Sequence, residues 1–290
     1  MTGDDSRTRI VDQFSSQGER AAIWKAFDLF LPTDQFLNVG YSKPYQPHFV
    51  GSSQRRLAER IGSDIAARLE STAGVSLLDV GCGRGGPTLH LAAEHGFEVT
   101  GIDLVPYNIL MARQNTAEAN VDAQFVVGDA LQLPFGRGSF AVCTAVDSPP
   151  YIPNKRGFLA EVASVTSEGG LIAVSDFIQP ESLSQEARDA VDAFADAWDL
   201  APIATLEQYK RAIAASDLHL GTVVDISANS IARFRKWTAL YLSIARTGLP
   251  NLANQFLTQY SIDLDAITEQ VTSTHPALPF LRHVILYVRT

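Results

Sequence analysis

The sequence predicts an α/β fold: a doubly wound, mostly parallel sheet of seven strands, preceded by helices and carrying a helical cap inserted among its later strands. Three observations carry this expectation. Between positions 75 and 178, short apolar runs alternate with helical segments of about 10–15 residues, the pattern of βαβ units covered on both faces. The first run ends in GCGRGG, a glycine-rich turn from strand into helix. Two further strand-like runs, GTVVDIS and FLRHVILYVRT, come only after long helical stretches.

Residues 1–74 read mainly as helix. Ile23, Trp24, Phe27 and Phe30 recur at helical spacing, as do Leu57, Ile61, Ile65 and Leu69. FLNVGYSKPYQPHFVG, rich in aromatics, glycine and proline, reads as the loop between them. In 75–178, VSLLDV is a strand, Thr88 to His95 a helix and FEVTGID a strand, followed by a helix through Leu110 and Met111. AQFVVGDA, SFAVCTAV and GLIAVSDF follow as strands, the last two separated by a helix from Asn154 to Val165. Residues 179–290 hold helical segments at 183–199, 205–216, 231–246 and 261–273, together with the two final strands. These insertions would cap the carboxyl edge of the sheet, the crevice where open α/β sheets bind ligands.

A chain of 290 residues is one large domain or a domain with an appendage. At 46% hydrophobic and 19% charged, it is globular rather than disordered. The net charge of −9 argues against a nucleic-acid partner, whose phosphates bind lysine and arginine. Two cysteines are too few for a disulfide scaffold or a four-thiolate zinc site. MTGDDSRTRI has no apolar core of a secretory signal, and no apolar run reaches the roughly 18–20 residues of a membrane span. A cytoplasmic protein is expected, with a homo-oligomer left open.

Gly81, Gly83 and Gly86 satisfy G-x-G-x-x-G, while Gly81, Gly83 and Gly85 satisfy G-x-G-x-G, so the glycines alone do not separate a dinucleotide from S-adenosylmethionine. Either ligand needs a sharp turn, close backbone approach and the free N–H groups of a helix start. Three acids favour the second. Asp79 lies inside the first strand end, Asp103 closes the second strand, and Asp129 follows the third. Acids at three successive strand ends suit a cationic sulfonium cofactor without phosphates.

LLDVGCGRGG, the GID closing the second strand, VVGDALQLPF and SEGGLIAVSDF together resemble the successive motifs of class I S-adenosylmethionine-dependent methyltransferases. The resemblance covers about residues 75–178; FLNVGYS is similar to the cofactor-closing segment of small-molecule members, and VDAF and VDIS to the cap of natural-product sugar O-methyltransferases. It implies a Rossmann-like fold, S-adenosylmethionine as cofactor and a small, apolar metabolite as acceptor of a methyl group on oxygen or carbon. Residues 1–74 would close over the cofactor, 75–178 would bind it, and 179–290 would hold the acceptor. Asp79, Gly81 and Gly83 would line the methionine end, Asp103 the ribose, and Asp129 with Ala130 the adenine. Leu104 and Val146 complete the set, and Tyr41 would close over it.

Those sugar O-methyltransferases carry a histidine pair after the fourth strand, where Pro150-Tyr151 stands here. Asp176 matches a second acid of these relatives and is expected to act on the acceptor's proton, with Tyr151 beside it. Without the histidine base, the acceptor list widens to acidic phenols or enols, amines and electron-rich carbons. Aromatics of the first zone (Trp24, Phe27, Phe30, Phe36, Tyr41, Tyr45, Phe49) would suit a bulky apolar acceptor. His90, His95 and His283 read as structural, His48 as within reach of the acceptor, and no metal set is expected. Ser148-Pro149-Pro150-Tyr151 also resembles the motif with which DNA amino-methyltransferases hold a planar amine, an alternative acceptor class. A non-catalytic cofactor-binding protein is the third reading.

Overall fold

The strands that the alternating pattern predicts form a single sheet. In the computed structural model, which describes residues 3–15, 35–48, 51–247 and 263–290, the chain begins with α1 (Gly3–Phe14) and α2 (Ser52–Ala66). The βα series follows: β1 (Ser76–Val80), α3 (Gly86–His95), β2 (Glu98–Asp103), α4 (Pro106–Ala119), β3 (Ala123–Val127), β4 (Phe140–Val146), α5 (Lys155–Val165) and β5 (Thr166–Ile178). Then come α6 (Gln185–Ala197), α7 (Leu206–Ala214), β6 (His219–Asp225), α8 (Ile231–Ala245), α9 (Leu264–Thr274) and β7 (Arg282–Arg289). The predicted helix at Ile23–Phe30 lies outside the described residues, and the Leu57 stripe ends at Ala66, before Leu69.

The order is β3-β2-β1-β4-β5-β7-β6. The first five strands run parallel, and β7 enters antiparallel between β5 and β6. The order reverses between β1 and β4, which opens the crevice there.

Strand residues alternate between faces. On β5, Leu171 and Ala173 pack with Leu57, Ile61 and Leu91 under α2 and α3. Ile172, Val174 and Ile178 pack with Phe158 and Tyr209 under α5 and α7. Each fully buried aliphatic contributes roughly 1.5–3 kcal/mol relative to exposure. Residues 205–216, read from sequence among the capping helices, therefore cover a sheet face as α7.

The cap consists of α6, α8 and α9. Phe194, Ile231 and Leu278 gather around Phe177 at the end of β5. Their helices are pinned by Trp198 Nε1 donating to Thr274 Oγ1 at 2.7 Å and by a 2.9 Å bond between Tyr241 and Thr268. Ser184, Thr205 and Asp263 accept N-cap hydrogen bonds, which sets where α6, α7 and α9 begin. Among the described residues, no helix is long and apolar enough to cross a membrane.

Candidate active site

The turn after β1 is built by its glycines. Gly81, Gly83 and Gly85 take φ of 71°, 55° and 86°, a region costly for residues with a Cβ. A Cβ at Gly81 would overlap Ser148, and one at Gly83 would sit 3.1 Å from Leu37 Cδ1. Asp79 braces the turn from behind, accepting from Thr88 Oγ1 at 2.6 Å and Thr144 Oγ1 at 2.8 Å. Burial pushes its carboxyl up to about 6. Asp79 does not line the cavity in front of the turn, which corrects its expected place against the methionine end: both oxygens are engaged by core hydroxyls.

That first cavity, about 190 Å³, is walled by Gly81, Gly83, Asp103, Leu104, Asp129, Ala130 and Val146, the residues that the resemblance assigns to the cofactor. Asp103 accepts from the N–H groups of Gly83 and Val105, each at 2.9 Å, and from Asn108 Nδ2 at 3.2 Å. Burial raises its pKa. Asn108 also lines the cavity, and its buried Oδ1 has no partner among the described residues. Asp129 accepts from the Leu131 N–H at 2.8 Å and pairs with Arg7 of α1. Arg7, Ile10, Phe14 and Leu37 roof the cavity. Their register pointed to no ligand, so the sequence reading missed them.

A second cavity of about 390 Å³ lies under the cap. Its wall is mostly apolar, with Phe177, Phe194, Trp198, Phe234, Trp237 and Tyr241 among its residues. Leu37, Asn38, Asp147 and Tyr151 border both cavities. Asp147 is the acidic residue at that junction. It takes φ 53° and accepts from Ser175 Oγ at 2.6 Å, His283 Nε2 at 2.9 Å and the Val39 N–H at 3.1 Å. Burial alone would raise its pKa, but His283 and these donors hold it below the usual carboxylate value. Asp147 follows β4 as Asp103 closes β2, so the strand-end pattern carried its signal, obscured by the Pro-Pro motif beside it.

Tyr151 stands edge-on to Phe14, with ring centroids 5.3 Å apart, and burial pushes its phenol well above its ordinary value. His48 lines the second cavity, and burial lowers it to about 4.

Four expectations change. Tyr41 packs into the core with Leu57 and Ile61, its hydroxyl 3.3 Å from Arg60 Nη1, and lines neither cavity; Leu37 and Asn38 of the same loop take that place. Asp176 lines neither cavity. Strand parity turns it to the α5–α7 face, where it pairs with Lys155 at 3.3 Å and accepts from the Tyr209 hydroxyl. In Ser148-Pro149-Pro150-Tyr151 the groups that would hold an amine are engaged internally. Ser148 Oγ donates to the Val80 carbonyl at 2.6 Å, the Pro149 carbonyl takes Lys155 and the Ile152 N–H, and the Pro150 carbonyl takes the Ala201 N–H. Finally, although no metal set was expected, Glu59, His90 and His95 bring one potential ligand atom each within 4.8 Å of one another between α2 and α3, away from both cavities.

Phe36 and Tyr45 also line neither cavity, and Trp24, Phe27, Phe30 and Phe49 lie outside the described residues. The aromatic wall comes instead from the cap and β5.

The glycine turn, the strand-end acids and the reversal between β1 and β4 define a class I methyltransferase fold. Residues 77–170 match the methyltransferase domain family. The 2-methyl-6-phytyl-1,4-hydroquinone methyltransferase of Synechocystis sp. is 34% identical over 154 residues, covering 52% of this chain and 48% of that protein. The chain spans 48% to 62% of the length of the first curated relatives it matches. Among solved structures, geranyl diphosphate C-methyltransferase from Streptomyces coelicolor A3(2), in complex with Mg2+, geranyl diphosphate and S-adenosyl-L-homocysteine, superposes with a TM-score of 0.70 at 16% identity, covering 100% and 99% of the two chains. The [4+2]-cyclase SpnF gives 0.69 at 19% identity, covering 94% and 95%.

Proposed function

We propose that this protein transfers a methyl group from S-adenosylmethionine to an oxygen or carbon nucleophile of an apolar small molecule. The observation that carries the reading is a pair of cavities of opposite chemistry meeting at Asp147 and Tyr151. The first fits the cofactor: glycine backbone where a Cβ would intrude, the orphaned Asn108 Oδ1, and carboxylates for ribose and adenine hydrogens. The match to a methyltransferase domain and the likeness to a relative named 2-methyl-6-phytyl-1,4-hydroquinone methyltransferase point the same way.

When bound, the cofactor supplies a methyl already activated on a sulfonium. The chain's own work is to align and enclose. Asp103 would accept ribose hydroxyls and Asp129 the adenine amine, with Leu104 and Ala130 flanking. Arg7, Phe14 and Leu37 exclude water. Asp147, held ionised at the junction, offers negative charge to a cationic centre and accepts a hydrogen bond from an acceptor hydroxyl. His48, with its depressed pKa, is a weak base, which favours acceptors that ionise easily or react at carbon.

Calorimetric titration with S-adenosylmethionine and with NAD tests the cofactor, and preferential NAD binding would overturn the reading. Asp103→Ala should weaken cofactor binding by roughly 1.5–3 kcal/mol, the range for hydrogen bonds to a charged group. Turnover of prenylated hydroquinones and phenols then tests the acceptor. Bound cofactor with no turnover across that panel would favour a second reading, cofactor binding without methyl transfer.

A further inference from the structure

We propose that loop 41–48 and helix α8 form a face that docks on an anionic lipid bilayer and holds the mouth of the second cavity at its surface. The inference rests on the proposed function in one respect: it takes that cavity to be the acceptor site, and so makes the acceptor a lipid-dissolved molecule.

Two segments far apart in the chain build this face. The Ser42 N–H donates to the Asn229 carbonyl at 2.8 Å, Asn229 Nδ2 returns a bond to the Ser42 carbonyl at 3.0 Å, and Arg233 reaches the Lys43 carbonyl at 3.4 Å. Tyr45 on the loop is 77% exposed; on α8, Trp237, Leu240 and Ile244 are 39%, 60% and 47% exposed. The last three are spaced i, i+3 and i+7 and so lie along one stripe of the helix.

Charge identifies the partner. Of the chain's 23 cations, Lys43, Arg233, Arg235, Lys236 and Arg246 fall in 41–48 and 229–247, and none of its 32 acids does. A chain of net charge −9 thus carries a locally cationic, apolar face. Basic residues beside exposed tryptophan, tyrosine and leucine are the composition of a helix lying in a bilayer interface. A two-fold contact with a second copy would set these cations against themselves. Trp237 and His48 also line the second cavity, so its opening is continuous with the face.

Co-sedimentation with vesicles tests the proposal. The full chain should bind vesicles of equal parts phosphatidylcholine and phosphatidylglycerol, bind phosphatidylcholine alone much more weakly, and lose affinity as salt rises. Leu240→Asp/Ile244→Asp and Lys236→Glu/Arg246→Glu should each reduce binding at least tenfold, with circular dichroism unchanged because these side chains are exposed. Absence of vesicle binding, or variants that bind like the wild type, would overturn it. So would a dimer in analytical ultracentrifugation that Leu240→Asp dissolves without any vesicle binding. The assay needs neither methyl donor nor acceptor. Cofactor binding without vesicle binding therefore sinks only the docking face, and the converse sinks only the proposed function.

Discussion

His283 Nε2 lies 2.9 Å from Asp147 Oδ1, joining β7 to the end of β4 across 136 positions of sequence. The other ring nitrogen sits 3.0 Å from Ser230 Oγ at the start of α8, so the imidazole links the cap to the cavity junction. Asp147→Asn keeps the shape but removes the charge. Turnover is expected to fall about 10²–10³-fold, the scale of losing one preorganised electrostatic partner, with cofactor affinity changed less than tenfold. Steady-state kinetics beside calorimetry checks the split; equal losses in both would mean that Asp147 serves cofactor binding.

Asp176→Asn should behave oppositely. The side chain lies on the far face of β5, so turnover per folded molecule should stay within tenfold of wild type. Stability should drop by at most about 3 kcal/mol, since Lys155, its side chain 11% exposed, would lose its counter-ion. Urea unfolding and kinetics on the same preparation separate the two, and a thousandfold loss of turnover would restore Asp176 as a catalytic acid.

Gly81 and Gly169 share φ 71°, but their surroundings differ: a Cβ at Gly169 meets nothing within 4 Å, while one at Gly81 overlaps Ser148. Gly169→Ala should cost about 1 kcal/mol, the left-handed backbone alone. Gly81→Ala should cost at least about 3 kcal/mol, or displace Ser148 and weaken cofactor binding more than tenfold. Denaturant midpoints for the pair isolate the steric part.

Asp79 sets a pH dependence. Its folded pKa, about 6, exceeds the ordinary 3.8, so folding favours the protonated form. Its stabilisation is full below about pH 4, is lost as pH rises toward 6, and amounts to about 3 kcal/mol for this fully buried group. Asp79→Asn should therefore gain on the wild type as pH rises from 4 to 7. A stability difference that stays flat over that range would refute the raised carboxyl.

Local pattern sufficed for much of the molecule. The short apolar runs became the strands because strand length and alternation are properties of contiguous residues. The turn at Gly81 and Gly83 and the cavity acids Asp103 and Asp129 were legible because a strand-to-helix turn presents its neighbours at one edge of the sheet.

Only the tertiary structure decided which side chains meet. Asp176 could be placed at a strand end from sequence, but its face depends on where α5 and α7 pack, and parity turned it away from the cavities. Tyr41 and Leu37 share one loop, and the packing of α2 sent the tyrosine into the core and left the leucine against Gly83. Arg7 reaches Asp129 across 122 positions and His283 reaches Asp147 across 136, contacts with no local signature. The sequence by itself determined most of the described elements and the sheet edge where the first cavity opens, because these follow from neighbouring residues. The roof, the junction carboxylate and the cationic face formed by Lys43 and α8 exist only once distant segments pack, because their chemistry is a sum over residues that the chain brings together by folding.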